Sequence, residues 1–420
     1  MRMLRFSLKM LLLLALAACS PGGSPAATPV VASPATATTA ASAPTVSAPT
    51  ALSTTLSDLP TLALPTADPT AEVAGVLPAP LYYLVGQDGK DQIFRLEVDG
   101  ITSSQITSEA AADGVREYAI SPADGSLLYI SGNDLIRTDK HGANRTVLVD
   151  GPAISDPNDL NAHHAGDITS PVWSPDGSQI AFGLGGVNVM AASGGTPALI
   201  MPHELQANPA MAALYRFAIL RFPVAWSPDG SKLLTTFSYV PEGGFYSVLD
   251  MATTTAITIT NPEGILCCSP VWSLSGATIY FANDVMGMVS VGMWEANAAT
   301  GVVTRLVGTA DGAPPWALVK APLAVGNDAF LAFYRQTTDE ALANGQTSAA
   351  LTMTQINADG STAPLRSTPT VAGQVLWSPD GRGAVVSGAA YEAALLEWLP
   401  SDDSPAVPLG TVGRNLRWGK

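Results

Sequence analysis

The chain has 420 residues, enough for two average domains or one large all-β domain, and a formal net charge of −15 from 35 acidic and 20 basic side chains. Three of the basic groups lie in the first 18 residues, so the remainder carries 17 against 35 and repels phosphate backbones, which argues against nucleic-acid binding. Charged residues are only 13% of the chain while Gly, Pro, Ser, Thr and Ala abound, a composition suited to turn-rich β structure plus an extended segment and poorly suited to a helical bundle.

The N-terminus comes first. Arg2, Arg5 and Lys9 precede an unbroken apolar run from Met10 to Ala18, too short for a transmembrane helix but right for the core of a signal peptide. It ends in Leu16-Ala17-Ala18-Cys19, which resembles the bacterial lipoprotein signal, with 1–18 as the signal peptide. The resemblance implies cleavage before Cys19 and acylation there, giving a two- or three-chain anchor where one chain would hold only marginally. It also implies a bacterial cell-envelope location facing the extracytoplasmic side. With Ser20 next, that means the outer membrane in a Gram-negative cell and the outer face of the plasma membrane otherwise. The membrane is then met through lipid alone.

Residues 19–78 hold the acceptor cysteine and a tether of Pro, Ser, Thr and Ala with no aromatic residue; Asp58 is its first charge. Too little apolar area is available to offset the entropy of ordering it, so it is predicted to be disordered. At ~3.1 Å per residue in polyproline II, it reaches at most about 180 Å.

From residue 79 to 420 the signal is periodic. Residues 171–182 read PVWSPDGSQIAF, 224–235 VAWSPDGSKLLT, 270–281 PVWSLSGATIYF and 375–386 VLWSPDGRGAVV, with a looser copy, YAISPADGSLLYI, at 118–130. Ser121, Ser174, Ser227, Ser273 and Ser378 are separated by 53, 53, 46 and 105 residues. The last gap is two periods, and PLAVGNDAFLAF at 322–333 keeps the hydrophobic pattern at its midpoint without Trp or Ser-Pro-Asp-Gly. In each unit a short strand ends in Trp173, Trp226, Trp272 or Trp377 and runs into a tight turn. Pro presets the first turn dihedral, Asp176, Asp229 or Asp380 bonds back to turn amides, and Gly177, Gly230 or Gly381 accepts positive φ.

Units of about 50 residues with several short strands predict an all-β propeller, each tryptophan filling the wedge between neighbouring sheets. Residues 81–84, 92–98 and 104–107 read as the second to fourth strands of a blade lacking its first. Residues 414–418, ending in Trp418, supply that first strand and close the ring. The count is seven blades, with six as the alternative. The SPDG units resemble the propeller repeat of the TolB family and of prolyl oligopeptidase-like peptidases, over roughly residues 79–420. Two departures limit what this implies: the α/β domain that precedes the TolB propeller is replaced by the tether, and no Gly-x-Ser-x-Gly nucleophile elbow occurs.

Three further groups are candidates. Cys267 and Cys268, adjacent in an oxidising compartment, are read as a vicinal disulfide, with two buried small hydrophobes or a metal or redox pair as alternatives. His163, His164 and Asp167, with Asp156 and Asp159 nearby, form a polar loop that is either solvated surface or a ligand or metal site, which His203 joins only through folding. Tyr215, Arg216, Phe217 and Arg221 interrupt the unit rhythm within 205–222, as a partner-facing patch or as packing of a long inter-blade segment.

These readings point to a monomeric propeller on a lipid anchor that binds or scaffolds an envelope protein partner, with no catalytic residues and no cofactor. The alternatives are a propeller enzyme acting on envelope glycans or small substrates through the central funnel, or a small-ligand or ion-binding protein.

Overall fold

A computed structural model describes residues 75–420 except 155, 157–158, 206–217, 241–242, 262–265, 267–269, 288–289, 310–312, 327–328 and 389–394. The described strands form seven antiparallel sheets, each touching the next, with the last returning to the first.

The first blade runs, from the innermost strand outward, Arg414–Trp418, Leu81–Gln87, Lys90–Leu96 and Ser103–Gln105. The second is Glu117–Ile120, Leu127–Ser131, Asp134–Thr138 and Thr146–Asp150; the third is Thr169–Trp173, Gln179–Gly183, Gly186–Ala191 and Ala198–Pro202. The fourth, Ala218–Trp226, Lys232–Val240, Gly243–Asp250 and Ala256–Ile259, carries an added two-residue strand, Glu204–Leu205, inside its first. The fifth is Val271–Trp272, Thr278–Asn283, Gly292–Asn297 and Val303–Val307. The sixth is Trp316–Ala324, Ala329–Thr337, Thr352–Asn357 and Thr362–Pro364, and the seventh Val375–Trp377, Gly383–Ser387, Leu395–Pro400 and Val407–Val412. This is a seven-bladed β-propeller, and the weakest repeat, around 322–333, is a full blade.

The two chain ends share the first sheet, where Leu81 lies opposite Trp418 and Tyr82 opposite Arg417. Gly419 N donates to Pro80 O at 2.7 Å, and Lys420 Nζ reaches Pro122 O at 3.0 Å on the turn of the second blade. Closure removes the exposed strand edges that would otherwise invite pairing with another chain.

The blades stick together through apolar wedges. Trp173, Trp226, Trp272 and Trp377 are all buried. Aromatic pairs bridge consecutive sheets: Tyr246 with Phe281 at 5.0 Å, Tyr280 with Phe330 at 4.3 Å, Phe333 with Trp377 at 5.4 Å and Trp398 with Trp418 at 6.2 Å between ring centroids. Three indoles also donate to the innermost strand of the preceding blade: Trp272 to Ala225 O (3.2 Å), Trp377 to Ala321 O (2.6 Å) and Trp418 to Trp377 O (2.6 Å).

The SPDG turn is a small hydrogen-bonded knot. The hydroxyl of buried Ser174 donates to Asp176 Oδ1 (2.6 Å) and accepts from Gln179 N (2.9 Å), while Ser178 N donates to Asp176 Oδ1 (3.0 Å). Ser227 and Asp229 repeat this with Lys232 N, and Ser378 and Asp380 with Gly383 N. In the fifth blade Ser275 stands where aspartate would be, and Ser273 still accepts from Thr278 N at 3.1 Å.

Antiparallel order divides the molecule into two faces. The turns that follow the innermost strands, and those between third and fourth strands, share one side, the turn face. The connections between blades and the hairpins between second and third strands share the other, the loop face.

Removing residues 414–420 is expected to abolish cooperative unfolding and promote association, read by denaturant titration and size-exclusion chromatography. Ser227→Ala leaves a buried amide without its acceptor and is expected to cost about 1–3 kcal/mol. Ser231→Ala, at the exposed end of the same turn, is expected to stay within about 0.5 kcal/mol; chemical denaturation distinguishes the two.

Candidate functional site

The histidine-bearing connection between the second and third blades is a short helix, Leu160–Gly166, where the polar sequence led us to expect a loop. Asp159 opens it by accepting from Ala162 N at 3.1 Å. Asn133, held at φ 89° in the hairpin of the second blade, grips the other end: its amide donates to Pro152 O and Gly166 O (both 3.0 Å) and accepts from Ile168 N (2.8 Å). That clamp sets the helix on the loop face at the junction of the second and third blades.

On this helix His163 Nδ1 pairs with Asp167 Oδ2 at 3.0 Å, one turn on. Burial lowers the His164 imidazole below its ordinary range and His163 adds to this, against the opposing pull of Asp167. His203 enters the same neighbourhood from the end of the third blade. Burial pushes its pKa down to about 4, and the charges of His164 and Arg221 push the same way. Its Nδ1 accepts Arg221 N–H at 2.9 Å, which assigns the remaining proton to Nε2, and its ring meets Phe222 edge-on at 5.3 Å. Folding thus brings His164 and His203 together, a proximity that separation along the chain hides. Among the described residues, no group of three or more His, Cys, Asp or Glu is placed to hold a metal ion.

Arg221 sits inside the first strand of the fourth blade, not in a rim segment, and is already engaged. Its guanidinium donates to Pro202 O at 2.8 Å and pairs with Glu204, tying down the added strand Glu204–Leu205. Of the residues read as a partner-facing patch, Tyr215, Arg216 and Phe217 lie outside the described residues, as do Cys267 and Cys268.

Sequence reasoning missed several polar contacts between innermost strands. Glu117 Oε2 accepts from Ser170 N at 2.8 Å, Gln374 Oε1 accepts from Asn415 N at 2.9 Å, and Tyr118 donates its hydroxyl to Asn415 O at 2.5 Å. Burial raises the Glu117 pKa. Ser170 and Asn415 have φ of 52° and 54°, at irregularities in their strands. Each contact joins one blade to the next, so no local pattern within a unit announces it. Arg414 also pairs with Asp91 across the closing sheet.

No protein-family model matches the chain, and no curated protein matches it. Solved structures do. A puromycin hydrolase is similar with a TM-score of 0.54 at 15% identity, covering 81% of this chain and 53% of its own. A puromycin-hydrolyzing peptidase from Mycobacterium tuberculosis gives 0.50 at 13% identity, covering 78% and 53%. TolB from Acinetobacter baumannii gives 0.40 at 16% identity, covering 81% and 80%. The chain spans about half the length of the two peptidases. At these identities the likeness is one of fold alone, a β-propeller.

His203 binds fewer protons folded than unfolded between its lowered pKa near 4 and the unfolded value of about 6.5. Its contribution to stability is therefore intact above that unfolded value and is lost as pH falls towards 4. His203→Asn, which keeps an acceptor for Arg221 N–H, is expected to flatten the decline of stability over this interval, read by thermal unfolding at stepped pH.

Proposed function

We propose that this protein is a lipid-anchored, extracytoplasmic propeller that binds or scaffolds a protein partner in the bacterial cell envelope. The observation that carries this reading is the contrast between its faces. The turn face repeats one knot in the third, fourth and seventh blades and a near copy in the fifth. The loop face is individual, with the histidine helix, the added strand Glu204–Leu205, nine-residue inner strands that lengthen the fourth and sixth blades, and the helix Glu340–Ala343. Variation confined to one side of a rigid frame is how a scaffold carries recognition.

Chain order supports the geometry of display. The segment leading into the ring begins the second strand of the first blade, so it arrives on the turn face, where Leu77 N donates to Val98 O at 2.9 Å. The described residues leading into Leu81 therefore lie on the turn face and leave the loop face clear. The neighbourhood of His164 and His203 favours a second reading, a small ligand held at the junction of the second to fourth blades.

Cys19→Ala is expected to move the protein from the membrane to the soluble fraction and to remove its envelope cross-links, read by fractionation and affinity capture. Cross-links unchanged in the soluble protein would count against anchored presentation. Cross-links surviving surface substitutions throughout the loop face would count against that face as the contact.

A further inference from the structure

We propose that His203 is an acid-operated clasp on the strand Glu204–Leu205: a proton taken up at its Nδ1 frees that strand from the inner edge of the fourth blade and so changes the loop face. The device goes beyond the partner-binding reading and holds whatever that face meets.

The strand is lightly held. It pairs with the fourth blade at two positions, Glu204 opposite Ile219 and Leu205 opposite Ala218, and among the described residues no strand lies beyond it. So short an edge strand is marginal by itself, and the contacts around it decide whether it stays. Those contacts pass through His203 and Arg221. Arg221 N donates to His203 Nδ1 at 2.9 Å, while its guanidinium donates to Pro202 O at 2.8 Å and pairs with Glu204. His203 N in turn donates to Gly185 O at 2.9 Å, which fixes the clasp to the third blade.

The central contact needs a neutral ring. Nδ1 is an acceptor there, and a proton on it sets an N–H against the Arg221 N–H, donor facing donor. The same proton brings a positive charge beside two others, His164 on the helix Leu160–Gly166 and Arg221 on the strand Ala218–Trp226. The third blade offers the Gly185 carbonyl, and Phe222 meets the ring edge-on. The nearby carboxylates are engaged elsewhere, Glu204 by Arg221 and Asp167 by His163. Burial, then those two charges, hold the His203 pKa down to about 4. The released imidazole returns to water at about 6.5, so the clasped form binds fewer protons than the released one. Clasping is at full strength above the higher value and weakens as pH falls towards the lower.

Release is local. Ala218 and Ile219 lose their inner ladder partners, and the edge they leave is open to water or to another strand. On its other side the strand Ala218–Trp226 remains paired with Lys232–Val240, and Leu220 and Trp226 remain in the buried core, so the blade and the ring persist.

The test uses full-length protein in detergent, taken in steps from pH about 7 to about 4. Hydrogen exchange, corrected for the intrinsic rate at each pH, reads residues 203–205 and 218–221, with the buried strand Leu127–Ser131 as reference. NMR follows the His203 imidazole. Protection of the clasp residues is expected to fall at least about tenfold, at the midpoint of the imidazole titration, while the reference strand stays protected. His203→Asn keeps an acceptor for Arg221 N–H without taking up a proton, and is expected to hold the clasp closed throughout. Glu204→Gln removes the rival titrating group and is expected to leave acid release in place. Loss of protection in step with the reference strand, equal loss in His203→Asn, abolition of release by Glu204→Gln, or an imidazole midpoint well away from release overturns the proposal. Should His203→Asn fail to fold, coincidence of the two midpoints in the unaltered protein decides.

Discussion

Everything in this molecule depends on the antiparallel pairing of Arg414–Trp418 with Leu81–Gln87. Seven sheets packed side by side leave two open flanks unless the first and last are joined, and each wedge tryptophan needs a neighbour on both sides. The C-terminal strand meets both demands. It completes the first blade, presents Trp418 to the seventh, and lets Lys420 reach the second. The apolar clusters between blades then become equivalent links of one ring, each burying area that no single sheet can bury alone.

Much of this was legible in the residues. Spacing of the SPDG serines gave the number of blades, including the degenerate one, because hydrophobic alternation survives where the turn motif has decayed. The missing first strand near residue 81 and the surplus strand at 414 matched each other. The serines at the head of the turns mark the limit of that reading. Their recurrence was visible, but only the fold reveals Ser227 and Ser378 as fully buried hydroxyls that both donate and accept. A side chain that bonds across five residues leaves no trace in periodicity.

The candidate sites were less legible, for a physical reason. Histidines were noted by type and by adjacency, yet His163 binds its own helix while His164 and His203 approach from different blades. Arg221 was noted for its aromatic neighbours, and only the fold shows that it lies in a strand and ties down Glu204–Leu205.

The order of strands in the first blade has a mechanical corollary. The strand Leu81–Gln87 lies between Arg414–Trp418 and Lys90–Leu96, antiparallel to both. A pull on the chain just ahead of Leu81, directed along that strand, loads the hydrogen bonds of both ladders together in shear instead of peeling them singly. The joint that seals the circle is thus also oriented to resist tension applied through the chain that leads into it.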